Sequence, residues 1–140
     1  MTHASLTRRV KFTARHRFWN AEWSAEENAE VFGPSADVNY HGHNYVCDIT
    51  VRGKPDHRSG MVVSLAELDR VLSREVRDRF DNKTINDEVS EFFNGGLSPS
   101  GENLARFIFE RVHAAMVSNV QVTEVTVAED DTLKAAYRGD

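Results

Sequence analysis

The 140-residue chain has a single cysteine, Cys47, which excludes an intrachain disulfide framework and suits a reducing compartment. It has no excess of positive charge. Its 17 Lys and Arg stand against 22 Asp and Glu and are scattered along the chain, so the electrostatic footprint of a nucleic-acid binder is missing. No apolar run approaches the roughly 20 residues that a bilayer span needs. Residues 1–9 carry charge without the apolar stretch of a signal peptide. The expectation is a soluble cytoplasmic protein with no membrane or nucleic-acid partner. Repeats and low-complexity segments are also lacking, and a hydrophobic content of 40% is enough for one domain with its own core over residues 1–140.

What is present centres on Tyr40-His41-Gly42-His43-Asn44-Tyr45. The alternating run that follows, to about Arg52, reads as a strand, so the two imidazoles share a face at its entrance. Such a pair is either half of a metal clamp, needing a third ligand and an open fourth position, or two ordinary histidines satisfied by backbone partners. An earlier strand is predicted over Leu6–Phe18, with Val10, Phe12, Ala14, His16 and Phe18 on its apolar side. His16 must find partners there or bind something, because an unsatisfied buried polar group costs about 1–3 kcal/mol.

Asn20–Glu30 is Ala- and Glu-rich and predicts a short exposed helix, followed by a loop through Phe32–Asn39. Gly53–Gly60 is a polar turn. Ser64-Leu65-Ala66-Glu67 is a capping box that opens a helix over Leu65–Arg79, with Leu65, Leu68, Val71, Leu72 and Val76 on one face. Phe80–Pro99 reads as an irregular connection, and Ser100 as the cap of a second helix carrying Leu104, Phe107, Ile108, Val112 and Ala115 inward. Strands Gln121–Ala128 and Leu133–Tyr137 close the chain. The order β-β-α-α-β-β predicts an α+β fold, an antiparallel four-stranded sheet with two helices on one face. The uncovered face and edges make a homo-oligomer plausible.

Taken together, these motifs resemble the 6-pyruvoyl tetrahydropterin synthase and 6-carboxy-tetrahydropterin synthase family, which has the T-fold. The resemblance rests on Phe12-Thr13-Ala14-Arg15-His16-Arg17-Phe18, on Phe32-Gly33 ahead of His41-Gly42-His43-Asn44-Tyr45, and on Gly60-Met61-Val62-Val63. It continues through Phe80-Asp81-Asn82-Lys83-Thr84-Ile85-Asn86-Asp87, Ser100-Gly101-Glu102-Asn103 and Val127-Ala128-Glu129. It implies that His16, His41 and His43 bind one catalytic Zn²⁺. It also implies that Glu129 holds the pterin ring of the substrate, with Glu102 near it. Six subunits, assembled as two trimers with the sheets closed into barrels, are implied as well. Glu102 in a helix's first turn also suits the helix dipole without any ligand.

The pattern departs from the family at the groups that move protons. The family's cysteine between Phe-Gly and His-Gly-His falls on Ser35, and the histidine of its Asp-His pair falls on Asn82, leaving Asp81. A serine hydroxyl is a far weaker acid than a thiol, and asparagine does not titrate. Cys47 shares parity with His43 but stands about 13 Å along the strand, at roughly 3.3 Å per residue, so core packing is its expected role. Asp37, in the same loop as Ser35, is a candidate replacement base. The glutamate used by a side-chain-cleaving branch of the family falls on Val38. The resulting expectation is a zinc-dependent lyase acting on 7,8-dihydroneopterin triphosphate or a related dihydropterin, with Asp81, Ser35 and Asp37 as proton-handling candidates. The alternative is a pterin-binding paralogue without the synthase reaction.

Overall fold

The computed structural model describes residues 2–37, 40–117 and 119–140. Alternating burial drives the chain's first half into two long strands, β1 (Ala4–His16) and β2 (His41–Gly53), whose inward residues include Val10, Phe12 and Ala14 on one and Tyr45, Cys47 and Ile49 on the other. They pair antiparallel along their whole length, Ala4 opposite Gly53 and His16 opposite His41. Between them lie helix α1 (Ala25–Phe32), capped by the Ser24 hydroxyl, and a 3-10 turn over Gly33–Ala36. Gly33 ends α1 at φ +59, a conformation that costs a glycine little.

Helix α2 (Leu65–Leu72) begins where Ser64 accepts from the Glu67 N–H, and buries Leu68, Val71 and Leu72. It runs through a π turn over Ser73–Arg77 into α3 (Asp78–Phe80), so the predicted single helix to Arg79 holds with a local widening. The connection after it is more ordered than its composition suggests: strand β3 (Lys83–Thr84), α4 (Ile85–Glu88) and a 3-10 turn at Ser90–Gly95. Helix α5 (Gly101–Ala115), capped by Ser100 as expected, packs Leu104, Phe107, Ile108 and Val112 onto the sheet. Strands β4 (Val120–Ala128) and β5 (Lys134–Tyr137) follow.

The described residues form a five-stranded sheet in the order β3-β1-β2-β4-β5, in which β3 runs parallel to β1. This corrects the expected four-stranded antiparallel sheet. β3 is two residues long and carries no alternation; it exists because Asp81 and Asn82 hook the edge of β1. Asp81 Oδ1 accepts from Thr13 N–H at 2.9 Å, and Asn82 N–H donates to Thr13 O at 2.7 Å. β1 also stops at His16, two residues before the expected Phe18, because the Asn86 side chain captures both backbone groups of Arg17 at 3.0 Å each. β2 starts at His41, so both histidines lie within the strand rather than at its entrance. In β4 a bulge opposite Thr50/Val51 sets the pairing so that Val122 and Val125, three residues apart, both face inward. No helix among the described residues is long and apolar enough to cross a membrane.

Candidate metal centre

The β1–β2 register places His16 directly opposite His41 and Ala14 opposite His43, and side-chain alternation turns all three imidazoles to the same side of the sheet. Their ring centroids are 4.4 Å (His16–His41), 4.9 Å (His16–His43) and 5.0 Å (His41–His43) apart, each pair meeting edge-on. One ligand nitrogen from each lies within 4.8 Å of the others. Two neighbouring strands thus bring together three imidazoles that the sequence separates by 25 and two positions.

His16 is completely buried, and its surroundings define its tautomer. Its Nδ1 is 3.0 Å from the Pro99 carbonyl oxygen and 3.0 Å from the Tyr45 hydroxyl. A carbonyl only accepts, so Nδ1 carries the proton and Nε2 the lone pair. That Nε2 is buried with no hydrogen-bond partner, as is Nε2 of His43. An orphaned lone pair aimed at two further imidazoles, backed by an N–H···O=C bond, is the arrangement that histidine ligands of a metal adopt. Burial foremost, then His41, pulls His16 down to about 4 against the opposing pull of the Pro99 carbonyl. His41 and His43 are lowered too, again chiefly by burial. All three are therefore neutral at neutral pH, as ligands must be. The residues present fit a tetrahedral metal with three nitrogen ligands and one open position, the donor set of a catalytic zinc site.

Glu129 follows the last residue of β4, and its Oε2 lies 3.3 Å from His43 Nε2. The contact is not an ion pair, because burial keeps the imidazole neutral and also raises the Glu129 carboxyl, which Asp130 and Glu102 push in the same direction. Asp130, which also approaches His43, is occupied as a turn cap: its Oδ1 accepts from the backbone and hydroxyl of Thr132 and from the Leu133 N–H.

A cleft of about 520 Å³ adjoins the cluster, walled by Phe18, Phe32 and Leu133, with Ser35, Glu102 and Glu129 among its polar groups. Phe18 links the two, its ring 4.9 Å from that of His16 and 6.4 Å from that of His41. Ser35 is held there by its backbone, whose carbonyl accepts from Phe18 N–H at 2.7 Å. Glu102 occupies the first turn of α5 at the cleft wall. Gly101 beside it lets the helix approach β5, since a Cβ there would meet the Ala135 Cβ at 3.1 Å. Asp37 is exposed just after the 3-10 turn, and its charge is felt at His41. Val38 lies outside the described residues.

Asp81 is not part of this gathering. It lines a separate hollow of about 330 Å³ with Lys11, Thr13 and Asn44, and its carboxylate is engaged at the β1 edge. Asn82 sits at φ +60, a left-handed conformation that asparagine tolerates well. Cys47 is fully buried between Val10 and Val127 on neighbouring strands, and burial pushes its thiol far up, which makes it an inert core residue. Residue patterns did not reveal Tyr45 and Pro99 as partners of His16. Tyr45 shares parity with His41 and His43, which was a usable signal; the Pro99 contact is made by a backbone atom and leaves none.

The profile of the family described as "6-pyruvoyl tetrahydropterin synthase" matches residues 5–140. The chain is 38% identical over 137 residues to a 6-pyruvoyl tetrahydrobiopterin synthase of Drosophila melanogaster, covering 97% of this chain and 80% of that one. It is 32% identical over 137 residues to the Homo sapiens protein of the same name, covering 98% and 92%. The solved structure of Caenorhabditis elegans 6-pyruvoyl tetrahydropterin synthase superimposes with a TM-score of 0.92 at 32% identity, covering 100% of this chain and 98% of that chain.

Proposed function

The chain belongs to the 6-pyruvoyl tetrahydropterin synthase family, and from that premise we propose that it is a zinc-dependent, pterin-processing lyase. Its substrate is 7,8-dihydroneopterin triphosphate or a related 6-substituted dihydropterin. The observation that carries this reading is the convergence of His16, His41 and His43, with a bare, buried Nε2 on His16, beside a cleft that contains Glu129.

In this reading Glu129 accepts hydrogen bonds from the pterin N–H groups. An ionised carboxylate in a half-buried place gains more from such donors than one in water, and the donors of a bound ring offset the desolvation that raises its pKa. Phe18 and Phe32 offer apolar walls for a flat ring. Glu102 lies close enough to Glu129 to reinforce the demand for a donor-rich ligand edge. Zinc, when bound, acts as a Lewis acid on the side-chain oxygens of the substrate and acidifies the neighbouring C–H. The Asp37 carboxylate, from the loop above His41, would take up the released proton, with the Ser35 hydroxyl able only to relay it by giving up its own proton as it accepts another. Asp81 lies in a separate hollow of the same chain, so it serves such a site from a neighbouring subunit; assembly into hexamers of two trimers, with sheets closed into barrels, belongs to the proposal. Cytoplasmic residence completes it.

The departures at Ser35 and Asn82 favour a second reading, a paralogue that binds a pterin without the synthase reaction. Incubating zinc-loaded protein with 7,8-dihydroneopterin triphosphate, and following triphosphate release and side-chain products by mass spectrometry, separates the two. Turnover supports the lyase; pterin binding without turnover of this or a dephosphorylated dihydropterin overturns it in favour of the paralogue.

A further inference from the structure

Asn103 lies in the first turn of α5 and holds the loop whose carbonyl faces His16. Its backbone N–H is taken by the Ser100 hydroxyl at 3.2 Å, and its side-chain amide donates to the Ser98 carbonyl at 2.9 Å. The two bonds fold residues 98–100 back onto the first turn of the helix. Pro99 sits between the clamped residues, with φ fixed by its ring, and its carbonyl is thereby delivered to His16 Nδ1 at 3.0 Å.

The opposite neighbour of that nitrogen is the Tyr45 hydroxyl, also at 3.0 Å. The two partners are not equivalent. Pro99 O can only accept and so demands a proton on Nδ1, whereas a hydroxyl can accept or donate. If the carbonyl withdrew, Tyr45 could donate to Nδ1 and the ring proton would move to Nε2. That is the buried, unpartnered atom directed at the other two imidazoles, and a proton there blocks coordination.

We infer that Asn103 is a positioning residue, whose clamp on residues 98–100 selects the His16 tautomer that leaves Nε2 open to a metal ion. The inference deepens the zinc reading and rests on it for its metal readout only. Ser98 and Ser100 also line the cleft, so the wall that a ligand would touch is the same loop that sets the ligand tautomer.

Asn103→Asp tests the clamp. It keeps the size of the side chain and the backbone bond to Ser100, and its charge in the first turn suits the helix dipole, but it removes the amide donor. Nitrogen NMR of the His16 ring in metal-free protein should show Nδ1–H in the wild type and a shift toward Nε2–H in the variant. Zinc affinity, read by competition with a chromophoric chelator, should fall by about tenfold to a hundredfold, while the thermal stability of the metal-free protein falls by no more than the loss of one hydrogen bond explains. Adding Tyr45→Phe removes the hydroxyl that holds the Nε2–H form by donating to Nδ1, and should recover part of the lost affinity. A wild-type ring in the Nε2–H form, or an Asn103→Asp protein with wild-type tautomer and affinity, overturns the inference. A wild type that bound no zinc would defeat the metal reading, while the ring NMR would still decide the clamp.

Discussion

On the floor of the site, three imidazoles stand on two paired strands whose ladder runs unbroken from Ala4/Gly53 to His16/His41, and the deepest of them is completely buried. At the rim, Ser35 and Asp37 hang from a four-residue 3-10 turn, and Asp81 is engaged with the edge of β1. The floor carries the three histidines that the sequence resemblance assigns to a metal. At the rim, the thiol and the imidazole of the family pattern fall on Ser35 and Asn82 in the sequence resemblance. Strand positions are constrained by parity and packing on both sides, so a metal site built there persists as a unit. A loop residue can be exchanged at little structural cost, and under the proposed function the departures fall on the positions that would carry protons.

The largest expected effect falls on the floor. His41→Ala removes one of three ligands from a half-exposed position, and elemental analysis should fall from about one zinc per chain to background. Unchanged zinc content would place the metal elsewhere. The rim comes next. Ser35→Cys with Asn82→His restores a thiol and an imidazole, and histidine, like asparagine, is among the residues found at positive φ. Synthase turnover measured by mass spectrometry should rise by about 10²–10⁴-fold, the range of a restored acid–base pair. If it does not rise, the correspondence of these positions with the family's proton-handling groups is wrong.

A smaller effect joins floor and rim. Glu129→Gln should weaken dihydropterin binding by about 1.5–3 kcal/mol, the value of hydrogen bonds to a charged group, as read by calorimetry. Because burial raises this carboxyl in the folded chain, its ionisation at neutral pH opposes folding, so the same variant should unfold at a slightly higher temperature when metal-free. Weaker binding without any thermal gain would mean that Glu129 is not strained by its burial.

The acid dependence of the metal-free protein tests the burial of the floor itself. The folded His16 titrates near 4 against an ordinary value of 6.5. A base with a depressed folded pKa stabilises the fold fully above its unfolded pKa and loses that contribution as pH falls toward the folded one. Stability should therefore drop between pH 6.5 and 4, by an amount on the order of 3 kcal/mol at 1.36 kcal/mol per unit. Thermal melts of His16→Gln should be flatter across that window; an equal slope would show that other groups carry the acid sensitivity.

The floor was legible in the sequence because its information is periodic. Parity put His16 on the apolar side of β1 and His41 and His43 on one face of β2, the family resemblance joined the three, and the capping serines at 64 and 100 marked both long helices correctly. The rest was hidden for identifiable reasons. β3 is too short to show alternation, and it depends on side-chain and backbone bonds between residues 68 or more positions apart. The early end of β1 is dictated by Asn86, 69 residues away from Arg17. The Pro99 carbonyl that sets the His16 tautomer belongs to a backbone whose path no residue pattern encodes.

X-ray absorption at the zinc edge of the loaded protein addresses the central claim most directly. Three imidazole nitrogens at about 2.0–2.1 Å, with a lighter oxygen shell in the remaining position, are the predicted result. A sulfur shell near 2.3 Å, which only Cys47 could supply, or a zinc surrounded by carboxylate and water oxygens alone, would contradict it.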